Sequence, residues 1–249
     1  MRPASDEPLV HARVILPSCE QLMLVVERVR RMLDLRADPL QIANHLAQDS
    51  RLGELLQARP GLRVPGVWDA FELAVRAVLG QQVRFVDAKP VIARLVRTFG
   101  SPTKTTEPRL THLFPTPEVL AAANLSSIGI PAARTETLRA LVRAAGKLHA
   151  VATKSLDEVI AGLCSISGMG HRRANYIAMR AFGEPDAFPS SDLGLRRVLT
   201  TGRKLLSEAD FLIAAQLWRP WRAYAAMHLS AADECATSWD SNRIKSAVV

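Results

Sequence analysis

A glycine-containing hairpin between two helical stretches limits most strongly how this chain can fold. Gly168-Met169-Gly170 follows one helical pattern, and a second pattern runs from 171 to 182. Further along, Asp192 opens a third helix. Two glycines one residue apart allow positive φ and let a phosphate approach the backbone without a Cβ in the way. The first N–H groups of the next helix would face that anion. The motif alone is weak, and an ordinary helix end and turn remains the alternative.

Composition narrows the class of protein without fixing its function. The chain has 249 residues, enough for one large domain or two small ones. Its formal net charge of +8 favours a polyanionic partner without proving one. No apolar run approaches the ~18 residues that span a bilayer, and the N-terminus lacks a signal-peptide pattern. Cys19, Cys164 and Cys235 are scattered and fit no zinc, iron–sulfur or disulfide pattern.

Hydrophobic periodicity predicts an all-α protein of about ten helices with almost no strand. One β-like run covers residues 12–16, and residues 100–113 are expected to form a loop. In the helical stretch 84–99, Asp87 is expected to cap the helix so that Pro90 falls in its first turn, because an interior proline costs about 3 kcal/mol. Ser190 or Ser191 is expected to cap the helix that contains Asp192.

Several motifs in one order give a much more specific indication than the hairpin does. The sequence ANYIAMR after the hairpin resembles the second helix of the motif that defines the helix-hairpin-helix DNA glycosylases. The resemblance is greatest to the alkylpurine branch (AlkA-type, DNA-3-methyladenine glycosylase II) and covers roughly 14–229. The other matching segments are GLRVPG at 61–66, FELAVRAVLGQQV at 71–83, FPTP at 114–117 and WRPWRAYA at 218–225.

This resemblance implies the helix-hairpin-helix DNA glycosylase fold, with most of the family's N-terminal α/β domain missing. Residues 1–18 would be the remnant of that domain, and residues 233–249 a frayed tail. The helical glycosylase domain would span 19–232 as two helical subdomains. Its cleft would lie between 63–182 on one side and 19–62 plus 190–232 on the other.

The resemblance makes Asp192 the catalytic residue. Breaking an N-glycosidic bond builds positive charge on the sugar, which a nearby carboxylate stabilises while it orients or deprotonates the attacking water. Without the resemblance, Asp192 would be interpreted as a first-turn acid at a helix dipole. Glycosylases that also cleave the strand carry a lysine where this chain has Arg172. Arginine is a very poor amine nucleophile, so a monofunctional enzyme is expected.

The predicted base pocket departs from the family at two positions. Arg172 and Ser230 stand where aromatic residues would face the flipped base, and Tyr176 is the aromatic that remains. Aromatic faces hold cationic methylated purines by stacking and cation–π attraction, whereas a permanent positive charge repels them. Weak or altered excision of cationic bases is therefore expected, and a neutral base such as hypoxanthine would suffer less.

The resemblance implies damaged double-stranded DNA as the partner of a cytoplasmic, nucleoid-associated monomer that binds no membrane. Gln82 would wedge into the vacated base stack beside Arg84. No cofactor or metal is expected, except a possible monovalent cation at the hairpin carbonyls of Gly168 and Gly170. Two alternatives are a catalytically impaired DNA-binding relative and a fragment of a fused alkylation-response protein. The predicted DNA-binding residues are Gly168, Met169, Gly170, His171, Arg173, Gln82 and Arg84.

Overall fold

The computed structural model describes residues 2–3, 9–16, 18–80, 85–105, 107–151, 154–200 and 204–233, and these are mostly helical. The α-helices are α1 (Leu22–Met32), α2 (Pro39–Leu46), α3 (Ser50–Ala58), α4 (Ala70–Leu79), α5 (Phe85–Phe99), α6 (Pro117–Ala122), α7 (Ala132–Val151), α8 (Leu156–Cys164), α9 (His171–Ile177), α10 (Leu193–Val198), α11 (Glu208–Ala214) and α12 (222–233). Short 3₁₀ turns cover Cys19–Gln21, Leu125–Ile128 and Ala215–Trp218, and a π-helical turn covers Ala178–Phe182. The predicted all-α class is confirmed.

Two very short strands lie at the N-terminus. Strands β1 (Arg2–Pro3) and β2 (Val10–His11) pair antiparallel. The strand expected over residues 12–16 is wrong, because those residues form no regular element. Ile15 is 90% exposed there, so the apolar run has no sheet face to cover.

Helix α4 lies at the centre of a group of packed helices. Ala74, Val75, Val78 and Leu79 have no exposed surface, so apolar side chains cover most of its circumference. The helix packs against α5, α7 and α9, and α7 packs in turn against α6 and α8. Helix α9, which follows the hairpin, packs against both α4 and α8.

Local sequence determines most helix starts. Asp38 accepts the N–H groups of residues 40 and 41, and Ser155 forms a capping box with Glu158. The expected cap at Asp87 is wrong, because α5 begins at Phe85 and continues through Pro90. A proline near the start of a long helix removes one hydrogen bond, and the apolar face beyond it continues into the core.

Hydrogen bonds join the N-terminal helices to the C-terminal ones. They are Trp218 Nε1 to Asp49 Oδ2 at 2.7 Å, Tyr224 Oη to Asp34 Oδ2 at 2.8 Å, His228 Nδ1 with Leu55 O at 3.2 Å and Arg59 Nη2 to Ala231 O at 3.2 Å. The predicted domain boundaries stay predictions. The tail expected from 233 lies outside the described residues except for Asp233, which lies in α12. Within the described ranges, none of the helices is long and apolar enough to cross a membrane.

Candidate active site

The hairpin backbone leaves no room for a side chain at its first glycine. Gly168 has φ of +80°, and a Cβ there would lie 2.1 Å from Thr137 Oγ1 on α7. Met169 is 4% exposed and anchors the hairpin in the core, so it presents backbone rather than side chain to a ligand. Gly170 is exposed and is the N-cap of α9. The first N–H groups of α9 lack partners within the helix and are therefore placed to receive an anion.

Arg173 supports the hairpin from inside. Its side chain is buried, and its guanidinium donates a hydrogen bond to the carbonyl oxygen of Gly168. Burial, together with the neighbouring charge of Arg172, lowers the pKa of this guanidinium. The expectation that Arg173 contacts DNA does not agree with this burial. Arg173 lies four residues after Met169 and four before Ile177, which are both buried. This helical spacing is the pattern in the sequence that could have indicated the burial of Arg173.

The hairpin carbonyls of Gly168 and Gly170 each already accept a hydrogen bond from this chain. The oxygen of Gly168 accepts the Arg173 guanidinium, and the oxygen of Gly170 accepts the N–H of Ala174 at 3.0 Å. A metal ion at Gly168 would therefore compete with a positive charge that belongs to the same chain. Among the described residues, no group of three or more His, Cys, Asp and Glu side chains is arranged to hold a metal ion either.

Asp192 is itself the N-cap of α10. Its Oδ1 accepts the N–H of Gly194 at 2.9 Å and the N–H of Leu195 at 3.4 Å. The expected cap at Ser190 or Ser191 is therefore wrong. The Ser190 hydroxyl donates instead to Glu208 Oε1 at 2.8 Å. Capping fixes one oxygen of Asp192 against the helix and leaves Oδ2 directed elsewhere.

The second oxygen of Asp192 meets Arg172 from the hairpin side. Arg172 Nη1 lies 2.8 Å from Asp192 Oδ2, and the two side chains are 44% and 31% exposed. Because both side chains are partly in solvent, the pair contributes at most about 1 kcal/mol to stability. The structure thus brings the predicted acid and the predicted pocket residue together in an ion pair that a bound ligand can open at low cost.

A second contact fixes the loop before Asp192 to α9. Asn175 Oδ1 accepts the N–H of Phe188 at 2.9 Å. The Phe188 ring packs against Phe211 and Trp218, with ring centroids 4.9 and 5.7 Å apart. This buried aromatic cluster holds the loop, so the carboxylate of Asp192 has a fixed position relative to the hairpin helix.

Tyr176 is half-buried, and the Arg180 guanidinium lies against its ring, a contact that the sequence analysis did not predict. The guanidinium carbon of Arg180 lies 5.6 Å from the centre of the Tyr176 ring, and Arg180 Nη1 lies 3.4 Å from its hydroxyl. Arg180 Nε also donates to the carbonyl of Pro65. Arg180 lies in the π-helical turn, a feature frequent at functional sites. Its spacing of four from Tyr176 was the available indication.

The remaining predicted residues are less informative. His171 is exposed at the start of α9, and Ser230 is half-buried on α12. Gln82 and Arg84 lie outside the described residues, so their predicted roles stay predictions.

A second carboxylate lies close to the first. Asp233 Oδ1 is 3.2 Å from Arg197 Nη1, and the Asp233 side chain packs over Gly194. A Cβ on Gly194 would lie 2.7 Å from Asp233 Oδ2 and 3.2 Å from Asp192 Oδ1. Because glycine has no side chain, the carboxylates of Asp192 and Asp233 can both pack closely against residue 194.

We expect Gly194→Ala to lower activity without unfolding the protein. The added methyl displaces the end of the Asp233 side chain and presses on Asp192, while alanine raises helix propensity by about 1 kcal/mol. If Asp192 has the catalytic role that the resemblance implies, a shift of its carboxylate costs roughly tenfold or more in rate. Single-turnover base release and thermal unfolding measure the two effects. Gly53→Ala on α3, where a Cβ meets nothing within 4 Å, is the control. Unchanged base release in Gly194→Ala would contradict the expectation.

The fold and the site define a helix-hairpin-helix protein with a carboxylate fixed beside its hairpin. Family models identify it further: "HhH-GPD superfamily base excision DNA repair protein" matches residues 75–223, and "AlkA N-terminal domain" matches residues 1–69. The chain belongs to the HhH-GPD superfamily of base excision DNA repair proteins, which confirms the membership expected from its motifs.

Curated relatives agree with this assignment. A Mycobacterium tuberculosis protein named "Probable bifunctional transcriptional activator/DNA repair enzyme AlkA" is 38% identical over 231 residues, which are 92% of this chain and 46% of the relative. The chain thus spans about half the length of that relative. DNA-3-methyladenine glycosylase 2 of Escherichia coli is 35% identical over 212 residues, covering 81% of this chain and 69% of the relative.

Solved structures show the same fold. The 3-methyladenine DNA-glycosylase from Archaeoglobus fulgidus superposes with a TM-score of 0.77 at 22% identity, covering 87% of this chain and 76% of that one. The Schizosaccharomyces pombe 3-methyladenine DNA glycosylase in complex with abasic DNA gives a TM-score of 0.61 at 22% identity, covering 76% and 95%. At these identities the structures support the architecture alone.

Proposed function

We propose that this protein is a monofunctional DNA glycosylase that hydrolyses the N-glycosidic bond of a damaged purine flipped out of duplex DNA. The observation that carries the proposal is the fixed position of Asp192. One carboxylate oxygen caps α10, and the other faces the hairpin helix. Such an arrangement holds a negative charge beside the strand that the hairpin would grip.

The chemistry needs a negative charge at the sugar and a water molecule. As the base leaves with the bonding electrons, positive charge grows on the anomeric carbon and ring oxygen. The Asp192 carboxylate stabilises that charge, and water then adds to the anomeric carbon as its proton passes to the carboxylate. That proton is finally passed, through solvent, to a base that departed as an anion. Arg172 stays protonated and forms no Schiff base, so strand cleavage is not part of the reaction.

The hairpin supports binding to the DNA backbone. Gly170 and the N-terminal end of α9 suit a phosphate, a contact that carries no sequence information. Two solved relatives are described as complexes with DNA, namely the Schizosaccharomyces pombe enzyme and an 8-oxoguanine glycosylase/lyase of Clostridium acetobutylicum. Because the hairpin and the carboxylate belong to one chain, a monomer is sufficient for the proposed reaction. This monomer would act on nucleoid DNA in the cytoplasm and would bind no membrane.

We expect DNA binding to be independent of the identity of the monovalent cation. Arg173 supplies the positive charge at the Gly168 carbonyl, so exchanging potassium for tetramethylammonium at equal ionic strength leaves the Kd for duplex DNA unchanged. Fluorescence anisotropy measures this. Arg173→Gln removes the guanidinium, and its Kd is expected to differ between the two salts. A wild-type Kd that weakens in tetramethylammonium would contradict the expectation.

Release of free base from defined duplexes tests the proposed function. One duplex carries hypoxanthine, and the other carries 7-methylguanine made by methylating an oligonucleotide with a single guanine. Excess protein gives single-turnover rates, and anisotropy on the same duplexes gives binding. Base release from either duplex without strand cleavage is the expected result. Binding without release from both would overturn the proposal and favour a DNA-binding relative without activity.

A further inference from the structure

Arg172 borders the place where the damaged base would lie. Its Nη1 is 2.8 Å from Asp192 Oδ2, and its side chain is 44% exposed. In the proposed function the Asp192 carboxylate lies at the anomeric carbon, which is one bond away from the base. A side chain that touches this carboxylate is therefore close enough to reach the base.

Arg172 has hydrogen-bonding capacity left. A guanidinium carries five N–H donors in a planar fork. Among the described residues, only its contact to Asp192 uses them. The remaining donors are directed by a group that is itself fixed, because Asp192 is held by the backbone of α10.

The local charge opposes a cationic base. Arg172 compensates the negative charge of Asp192, which would otherwise attract such a base. Arg180 covers the Tyr176 ring, so one face of the remaining pocket aromatic already holds a guanidinium. With the Arg197–Asp233 pair beside Gly194 included, three arginines and two aspartates leave this side of the site with a positive charge.

We infer that Arg172 determines base specificity, favouring neutral purines with hydrogen-bond acceptors on their outer edge over cationic alkylated purines. The inference rests on the proposed function and concerns the same site. The recognised edge is that of a 6-oxopurine such as hypoxanthine, whose carbonyl oxygen O6 and ring nitrogen N7 pair with an arginine fork. Methylation at that nitrogen removes an acceptor and adds a positive charge, so 7-methylguanine loses the contact and is repelled.

Two substitutions of Arg172 separate the fork from the charge. Arg172→Gln removes the charge and the fork, whereas Arg172→Lys keeps the charge and loses the fork. We expect hypoxanthine release to slow about tenfold to hundredfold in both variants. Release of 7-methylguanine is expected to rise in Arg172→Gln and to stay unchanged in Arg172→Lys.

The measurement is the single-turnover rate of hypoxanthine release divided by that of 7-methylguanine release, on the two duplexes described above. A ratio within one variant is not changed by partial misfolding, which lowers both rates equally. Arg139→Gln on α7 is the matched control, because Arg139 is similarly exposed at 40% and pairs with Glu136 at 4.0 Å. Its ratio is expected to equal that of the wild type.

The possible outcomes distinguish the inference from the function on which it rests. A ratio that favours hypoxanthine in the wild type and falls in both Arg172 variants supports the inference. A ratio unchanged by Arg172→Gln overturns it while the glycosylase function stands, and an equal loss on both duplexes does the same by indicating a phosphate contact. No release by the wild type from either duplex would overturn both.

Discussion

Asp192→Asn is expected to slow base release by about 10²- to 10⁴-fold while the free energy of unfolding changes by less than about 0.5 kcal/mol. Asparagine caps helices as well as aspartate, so the contacts to Gly194 and Leu195 persist. The lost ion pair with Arg172 is partly exposed and contributes little to stability. Single-turnover release on the better duplex and chemical denaturation measure the two quantities.

Asp38→Asn is the matched control for this substitution. Asp38 caps α2 through two backbone N–H groups, as Asp192 caps α10, but it lies in a different part of the fold. Its substitution is expected to change neither base release nor stability. If Asp192→Asn released base at the wild-type rate, another group would have to supply the negative charge at the sugar.

Asp49→Ala is expected to lower the free energy of unfolding by about 2–4 kcal/mol. Asp49 is 6% exposed, caps α3 and accepts Trp218 Nε1 at 2.7 Å, so alanine removes a cap and leaves a buried indole N–H without its acceptor. The Arg51 guanidinium lowers the pKa of Asp49 below its ordinary value of 3.8. This stabilisation is therefore complete above about pH 4 and is lost as the pH falls through the lowered value.

Denaturation curves of the wild type and the variant at several pH values check this expectation. The difference between them should be constant above about pH 4 and shrink in more acidic solution. Asp69→Ala is the comparison, because Asp69 caps α4 at the surface and is expected to cost only about 1 kcal/mol. An Asp49→Ala protein no less stable than Asp69→Ala would show that the Trp218 contact stabilises nothing.

The predictable part of the fold depends on interactions between near neighbours in sequence. Apolar side chains at helical spacing gave the helices, and caps such as Asp38 and Ser155 lie within three residues of the groups they bind. The strand expected at 12–16 failed because a strand needs a partner strand, and the apolar residues of one segment do not show whether a partner is available. The start of α5 was missed because the cost of Pro90 was weighed without its tertiary packing.

The site was predictable in its identity but not in its contacts. Asp192 and Arg172 were both expected to matter, yet nothing in the sequence shows that their side chains meet. Ser190 and Ser191 cap helices as well as Asp192 does, and the choice among them depends on where Phe188 is buried. Two adjacent arginines also point in different directions, with Arg172 exposed and Arg173 buried, because neighbours on a helix lie about 100° apart.

The hydrogen bond between Asn175 and Phe188 sets a fixed distance within the site. It fixes how far the carboxylate of Asp192 stands from the amides that would hold the backbone of DNA. A distance measured from the phosphate backbone does not depend on the base sequence and is the same at every nucleotide. Which base is released would then depend on how easily that base leaves the stack and on how favourably it interacts with Arg172 and Arg180.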